Sequence, residues 1–220
     1  VSYTYDKYKH YDSMLDDVKD MILLGQPIMP NFIEFTNYSL MKADVGTFKW
    51  LTSGLSEHSG EVIAGSYMSS HFNNEIKNND VDIYFHSLEH AKLWCKINGV
   101  KMPEIQFDLC GKVIHRTRVV NVIVGVPFTD ARDLIAGFDI RACAIAYDPL
   151  ANKAIAVEGA VEDCQSKRIV WQVGARNVTV RRLLKYIEKG FKVDHHQNAI
   201  FVELLKIRPN RDQELLGGYK

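Results

Sequence analysis

No stretch of this 220-residue sequence approaches the ~18 consecutive apolar residues from which a membrane-spanning helix is read. The first ten residues, VSYTYDKYKH, lack the apolar centre of a secretory leader. The chain is therefore expected to work without a membrane, in the cytoplasm. Its first residue is Val, so an initiating residue or a tag is expected to have been trimmed. Cysteine is scarce. Cys95, Cys110, Cys143 and Cys164 form no Cys-x-x-Cys pair and no zinc spacing with histidine, which predicts free thiols in a reducing compartment. Net charge is absent as well, at 27 basic against 27 acidic side chains, and that argues against a general nucleic-acid coat protein. Low-complexity tracts and internal repeats are also missing.

What is present is an apolar content of 46%, enough for a sizeable core in one large domain or two small ones. The neutral total hides a split. Residues 1–164 carry 15 basic and 22 acidic side chains, whereas residues 165–220 carry 12 and 5. Such asymmetry suggests an acidic catalytic part beside a basic patch, or two parts that attract each other.

The chain is organised around residues 62–85, VIAGSYMSSHFNNEIKNNDVDIYF. Val62, Ile63 and Ala64 read as a buried strand. Gly65 and Ser66 follow, then residues that can open a helix, then a polar, asparagine-rich loop over 70–79. Asp80 and Asp82 begin the next strand and share one face, because strand side chains alternate. Val81, Ile83 and Phe85 then point into a core. Two neighbouring carboxylates repel each other unless something positive lies between them. For oxygen ligands that is typically Mg²⁺, held by one or two carboxylates and by substrate phosphates. Glycine lets backbone approach a phosphate closely, and helix N-terminal N–H groups favour anions.

Gly65-Ser66 followed by Asp80-x-Asp82 resembles the nucleotidyltransferase superfamily that includes DNA polymerase β. The stretches GFDIRACAIAYD (137–148) and RRLLKYIEKGF (181–191) resemble small nucleotidyltransferases of phages and large DNA viruses. For such a protein the host cytoplasm is the expected location. The resemblance implies an α/β (α+β) fold with a mixed, mostly antiparallel sheet and packed helices. It implies Mg²⁺-dependent transfer of a nucleoside monophosphate from an NTP to a hydroxyl on a protein, an RNA end or a small molecule. It further implies that Asp80 and Asp82 bridge the metals and that a third acid, from a strand beside the first, completes the acceptor-side site. Asp139 is the expected third acid, because it opens an apolar run where an acid is otherwise unwelcome. Asp108 and the absence of a third acid compete with it. Asn121, in VVNVIV, stands where some relatives keep an acid, and would then weaken acceptor-side metal binding. Losing the acid would favour the alternative function, a catalytically inactive binding module for nucleotide or nucleic acid.

Other residues support or qualify this reading. Ser66 either holds a triphosphate oxygen or caps a helix. Arg181, Arg182, Lys185 and Lys189 are expected as nucleotide-binding residues, or else as a solvated helix face. His71, His86, Tyr67 and Tyr84 read as structural. Helices are expected over 12–24, near 44–54, over 87–97 with Leu88, Ala91 and Cys95 buried, over 130–136 after a Thr129 cap, and over 177–189. In the last of these Val180, Leu183, Leu184 and Ile187 form the core-facing stripe. Strands are expected over 105–109 and 112–124, with Gly111 as the turn, and over 138–147, with a hairpin returning at 154–157. Residues 199–207 suit either state. The expected divisions are a helical segment at 1–43, a nucleotidyltransferase-like core at 44–165 and a basic helical part at 166–220.

Overall fold

A computed structural model describes residues 29–35, 61–77, 80–105, 110–115, 118–149, 151–175 and 178–207. The helices expected over 12–24 and near 44–54, and Asp108, lie outside these residues. Seven strands form one sheet: β1 (Phe32–Phe35), β2 (Glu61–Ala64), β3 (Asp80–Phe85), β4 (Cys110–His115), β5 (Arg118–Val124), β6 (Ile145–Asp148) and β7 (Lys153–Val157). Their order is β1-β7-β6-β2-β3-β5-β4. Every neighbouring pair is antiparallel except β3 and β5, which run parallel. The fold is thus the expected mixed, mostly antiparallel α/β class.

Alternation in β3 is complete. Val81, Ile83 and Phe85 are fully buried, while Asp80, Asp82 and Tyr84 are half-buried on the other face. Helix α2 (Leu88–Ile97) covers the apolar face. Trp94 packs its ring 5.9 Å from that of Phe85 and also meets His115 edge-on. Truncating such a fully buried aromatic costs about 3–5 kcal/mol. Ser87 caps α2 by accepting from the His90 N–H, and Gly99, at φ +65°, lets the chain leave it. The buried residues of α2 are Ala91, Trp94 and Cys95; Leu88 is exposed.

Some expected boundaries move. Gly111 lies inside β4, pressed against Pro103, and so is not the turn between two strands. Helix α3 (Ala131–Ala136) is capped by Asp130, one residue after Thr129. The strand expected over 138–147 is interrupted. Ile140 makes a single bridge to Trp171, Arg141–Cys143 form a 3₁₀ turn, and only then does β6 begin. The hairpin to β7 forms as expected. Helices α4 (Ala160–Ser166), α5 (Val180–Glu188) and α6 (His195–Ile207) follow, with Thr179 capping α5 and Gly190, at φ +83°, just beyond its end.

Helix α5 departs most from expectation. Val180, Leu184 and Ile187, assigned to the core, are exposed, Leu184 to 53%. Leu183 is half-buried. The buried residue of the helix is Tyr186. Arg182 has a partner that the periodicity cannot reveal, and it turns inward with Tyr186, while Arg181 and Lys185 stay exposed.

Candidate active site

The short connection from β2 to helix α1 (Ser66–Ser70) builds one wall of the site. Gly65 adopts φ +90°, and its N–H donates to the Ile145 carbonyl of β6. A Cβ there would stand 3.2 Å from Oδ2 of Asp82. Glycine therefore meets two demands at once, a backbone geometry that L-residues avoid and a close approach to a carboxylate. Helix α1 (Ser66–Ser70) is held down by Ser69, whose hydroxyl donates to the Ala142 carbonyl at 2.6 Å. Gly65 takes the cap position and no side chain caps α1, so the capping role considered for Ser66 is not realised.

The floor is β3 beside β5. Parallel register sets Asp82 directly opposite Asn121. The Asn121 amide nitrogen donates to Oδ2 of Asp80 at 2.9 Å and to Oδ1 of Asp82 at 2.6 Å. Asn121 is 7% exposed, and its Oδ1 is buried without a hydrogen-bond partner. Burial pushes the Asp82 carboxyl above its ordinary range and the nearby Asp80 adds to the push, while Asn121, Lys185 and Arg182 pull against it. These oxygens form an electron-rich cluster on one face of the sheet.

The expected third acid, Asp139, is already engaged by another side chain. Asp139 is buried in the segment after α3, outside any strand neighbouring β3. Arg182 binds both its oxygens, Nε to Oδ2 at 2.8 Å and Nη2 to Oδ1 at 2.9 Å, and the Ile140 N–H adds a further bond to Oδ1. Among the described residues, no group of three acidic, histidine or cysteine side chains could share a metal. The residue beside the aspartate pair is Asn121.

The other wall is the cationic side of α5. Lys185 and Arg182 act electrostatically on Asp82, and Lys189 and Asp80 attract each other. Tyr186 is the platform beneath them. The Arg182 guanidinium lies 5.3 Å from its ring centre and the Lys189 ammonium 5.4 Å. Burial works against the charge of Arg182, yet Asp139 outweighs it and holds the guanidinium protonated. Burial, aided by Lys185, pulls the Lys189 pKa down. Arg181 is exposed on the flank of this face. Beneath the helix, Cys143 contacts the Tyr186 hydroxyl, and burial pushes its thiol up to about 11. Tyr67 is buried as expected, and Tyr84 packs against Phe138. The four cysteines are free thiols.

Sequence reasoning overlooked Tyr186 as the support for the cations. It also missed Asn121 as a clamp, although an amide amid five β-branched residues was the available signal.

The family model described as Gabija anti-defense 2 family protein matches residues 31–167. No curated protein matches the sequence. Among solved structures, the Thermotoga maritima CCA-adding enzyme complexed with tRNA superposes with a TM-score of 0.57 at 13% identity, over 80% of this chain and 46% of that one. A CCA-adding enzyme complexed with CTP gives 0.58 at 13%, over 80% and 46%. A tRNA-processing enzyme with CTP gives 0.52 at 19%, over 67% and 43%. The chain spans less than half the length of each, and at these identities the likeness is one of fold.

Proposed function

Because the chain belongs to the Gabija anti-defense 2 family and has a nucleotidyltransferase-like fold, we propose that it transfers a nucleoside monophosphate from an NTP to an acceptor hydroxyl and counters a defense by that modification. The acceptor is a protein side chain, an RNA end or a small molecule. One observation carries the reading: the pair Asp80 and Asp82 lies between the Gly65 turn and the cations of α5. That is the charge pattern a metal-bound triphosphate requires.

The donor set fits Mg²⁺. Two carboxylates share one face, and the orphaned Oδ1 of Asn121 adds an oxygen once its amide turns. Asp80, Asp82 and Asn121 would hold the ion, which supplies neutralisation of phosphate charge when bound. The remaining work falls to the chain itself. Lys185 and Lys189 draw in the triphosphate, Ser66 offers its hydroxyl to a phosphate oxygen, and the bare Gly65 lets that phosphate come close. Arg182, fixed by Asp139, lends a stationary positive charge. The acceptor hydroxyl oxygen attacks the α-phosphorus in line as its proton passes to water, the bond to the bridging oxygen breaks, and pyrophosphate leaves with the electron pair.

The experiment is to supply each α-labelled NTP with Mg²⁺ and candidate RNA or protein acceptors, comparing wild type with Asp82→Asn. Transfer by wild type alone supports the reading. Loss of anti-defense activity in the same variant, in cells carrying the Gabija defense, would tie it to the family's role. A specific observation favours a second reading. An amide, not an acid, stands beside the pair, which suits an inactive nucleotide-binding module. NTP binding without transfer, with anti-defense activity unaffected in Asp82→Asn, would select that one.

A further inference from the structure

We propose that a cavity at the end of β7 is a second ligand site, one that takes a guanine base. None of the residues around the aspartate pair lines it, and it does not depend on the transfer reading above. The cavity holds about 270 Å³ between the end of β7 and the segment that follows α4. That is the small end of ligand sites, with room for one ring system. Trp171 and Gln172 line it and are buried, whereas Asn31 and Glu158 line it and are exposed. A base can enter while its sugar stays in solvent.

The polar groups of the cavity are fixed by partners of their own. Arg141 donates from Nε to Oδ2 of Asp163 at 2.6 Å, and that carboxylate has no exposure. Arg168 holds the other oxygen of Asp163 at 2.8 Å. One buried carboxylate thus serves two guanidiniums, which leaves one positive charge over. The Nη groups of Arg141 have no hydrogen-bond partner among the described residues. Gly159, at φ +82°, lets this guanidinium lie against bare backbone, where a Cβ would stand 2.8 Å from Cζ. Next to that glycine, Glu158 accepts from the Asn31 amide at 3.0 Å through Oε2, leaving Oε1 to accept from a ligand. Gln172 spends both amide hydrogens on the carbonyls of Ile135 and Phe138, at 3.1 and 2.9 Å, so Oε1 is its remaining group.

The cavity therefore offers one cationic donor and two acceptors. Guanine has the complementary edge, with the O6 acceptor beside the N1–H and N2–H₂ donors. O6 faces Arg141, and the two donors face Glu158 and Gln172. Cytosine and uracil present two acceptors and one donor there, and adenine lacks one group altogether. Val170, Val173 and Pro30 supply apolar walls for a flat ring. A bare phosphate would meet the Glu158 carboxylate as well as Arg141. A zwitterion would lose the hydration of two full charges, and a neutral base gives up less.

Calorimetry tests the site by titrating guanosine into the full chain in EDTA, which silences metal-dependent binding of a triphosphate. Guanosine should bind, and inosine, which lacks the N2 amino group, should bind about 10-fold or more weakly. Glu158→Ala, at an exposed position, should weaken guanosine by about 10-fold or more, and Asp82→Asn should leave it unchanged. A second arm compares pentauridylate with the same pentamer carrying one central guanine. A gain from that guanine above guanosine itself, lost in Glu158→Ala, supports the site with RNA as the source of the base. Guanosine binding without such a gain supports it with a free nucleoside or nucleotide as the source. No guanine-dependent binding in either arm would overturn the proposal, as would equal affinity for inosine or an unchanged affinity in Glu158→Ala. Guanosine binding lost in Asp82→Asn would also overturn it, by moving the base to the aspartate pair. Nucleotide transfer, measured separately with Mg²⁺, stands or falls independently of these results.

Discussion

Both carboxylate oxygens of Asp139 are held by Arg182, at 2.8 and 2.9 Å. This ion pair fastens α5 to the segment after α3 and fixes which side of the helix faces the sheet. Asp139 is almost wholly buried, so removing that partner would leave a buried carboxylate without its ion pair.

Asp139→Asn should therefore lower stability by about 1–3 kcal/mol, below the range for a fully buried pair because the arginine side chain keeps some contact with water. Arg182→Lys should not fully substitute, since an ammonium cannot form the two-pronged contact. Denaturant unfolding checks both. A variant with unchanged stability but no transfer would return Asp139 to the role of a direct metal ligand.

Gly65→Ala places a side chain at φ +90° and a methyl 3.2 Å from Oδ2 of Asp82. The backbone strain costs about 1–2 kcal/mol. The methyl also pushes on a carboxylate proposed to hold metal, so cation affinity in the presence of NTP should fall beyond the stability loss. Calorimetry on the folded variant separates the effects. Unchanged affinity would mean that Asp82 has room to move.

The site was legible in part because its signals are local. Gly65-Ser66 and Asp80-x-Asp82 declare a turn and a strand face from spacing alone, and the alternation in β3 follows from it. The sheet class follows from the same strands. Helix α5 was misread because periodicity identifies two unlike faces without saying which one the rest of the chain covers. Val180, Leu184 and Ile187 satisfy a core-facing pattern, yet the inward side is chosen by Tyr186 and by the pair of Arg182 with Asp139, forty-three residues apart. Asn121 became meaningful only once parallel pairing set it across from Asp82. Such long-range partners leave no trace in a local window.

His71, at the end of α1, packs edge-on against Tyr67 at 4.8 Å. Burial, reinforced by the Arg118 cation, pushes its pKa down from 6.5 to about 4. The fold thus favours the neutral ring. Its contribution to stability is complete above the unfolded value near 6.5 and is lost as pH falls through about 4. Unfolding measured across that window should steepen towards acid in wild type, and His71→Gln should flatten the profile. Equal slopes in the two proteins would show that the ring titrates freely.

The last prediction turns on which side of α5 meets the nucleotide. Lys185 acts on Asp82, and Lys189 and Asp80 attract each other, whereas Arg181 is exposed on the flank. If these lysines receive the triphosphate, Lys185→Glu should weaken NTP binding by about 10–100-fold, the worth of a charge-assisted contact of about 1.5–3 kcal/mol. Added salt should reproduce part of that loss in wild type. Arg181→Glu should weaken binding much less. Lys185 and Arg181 are exposed, so their variants should keep wild-type stability within about 0.5 kcal/mol. Measuring NTP and RNA affinity on the same proteins separates the alternatives. Loss of RNA binding with NTP binding intact would assign the lysines to a nucleic-acid acceptor. Equal losses for Arg181→Glu and Lys185→Glu would mean that a diffuse positive field, rather than this face of the helix, holds the nucleotide.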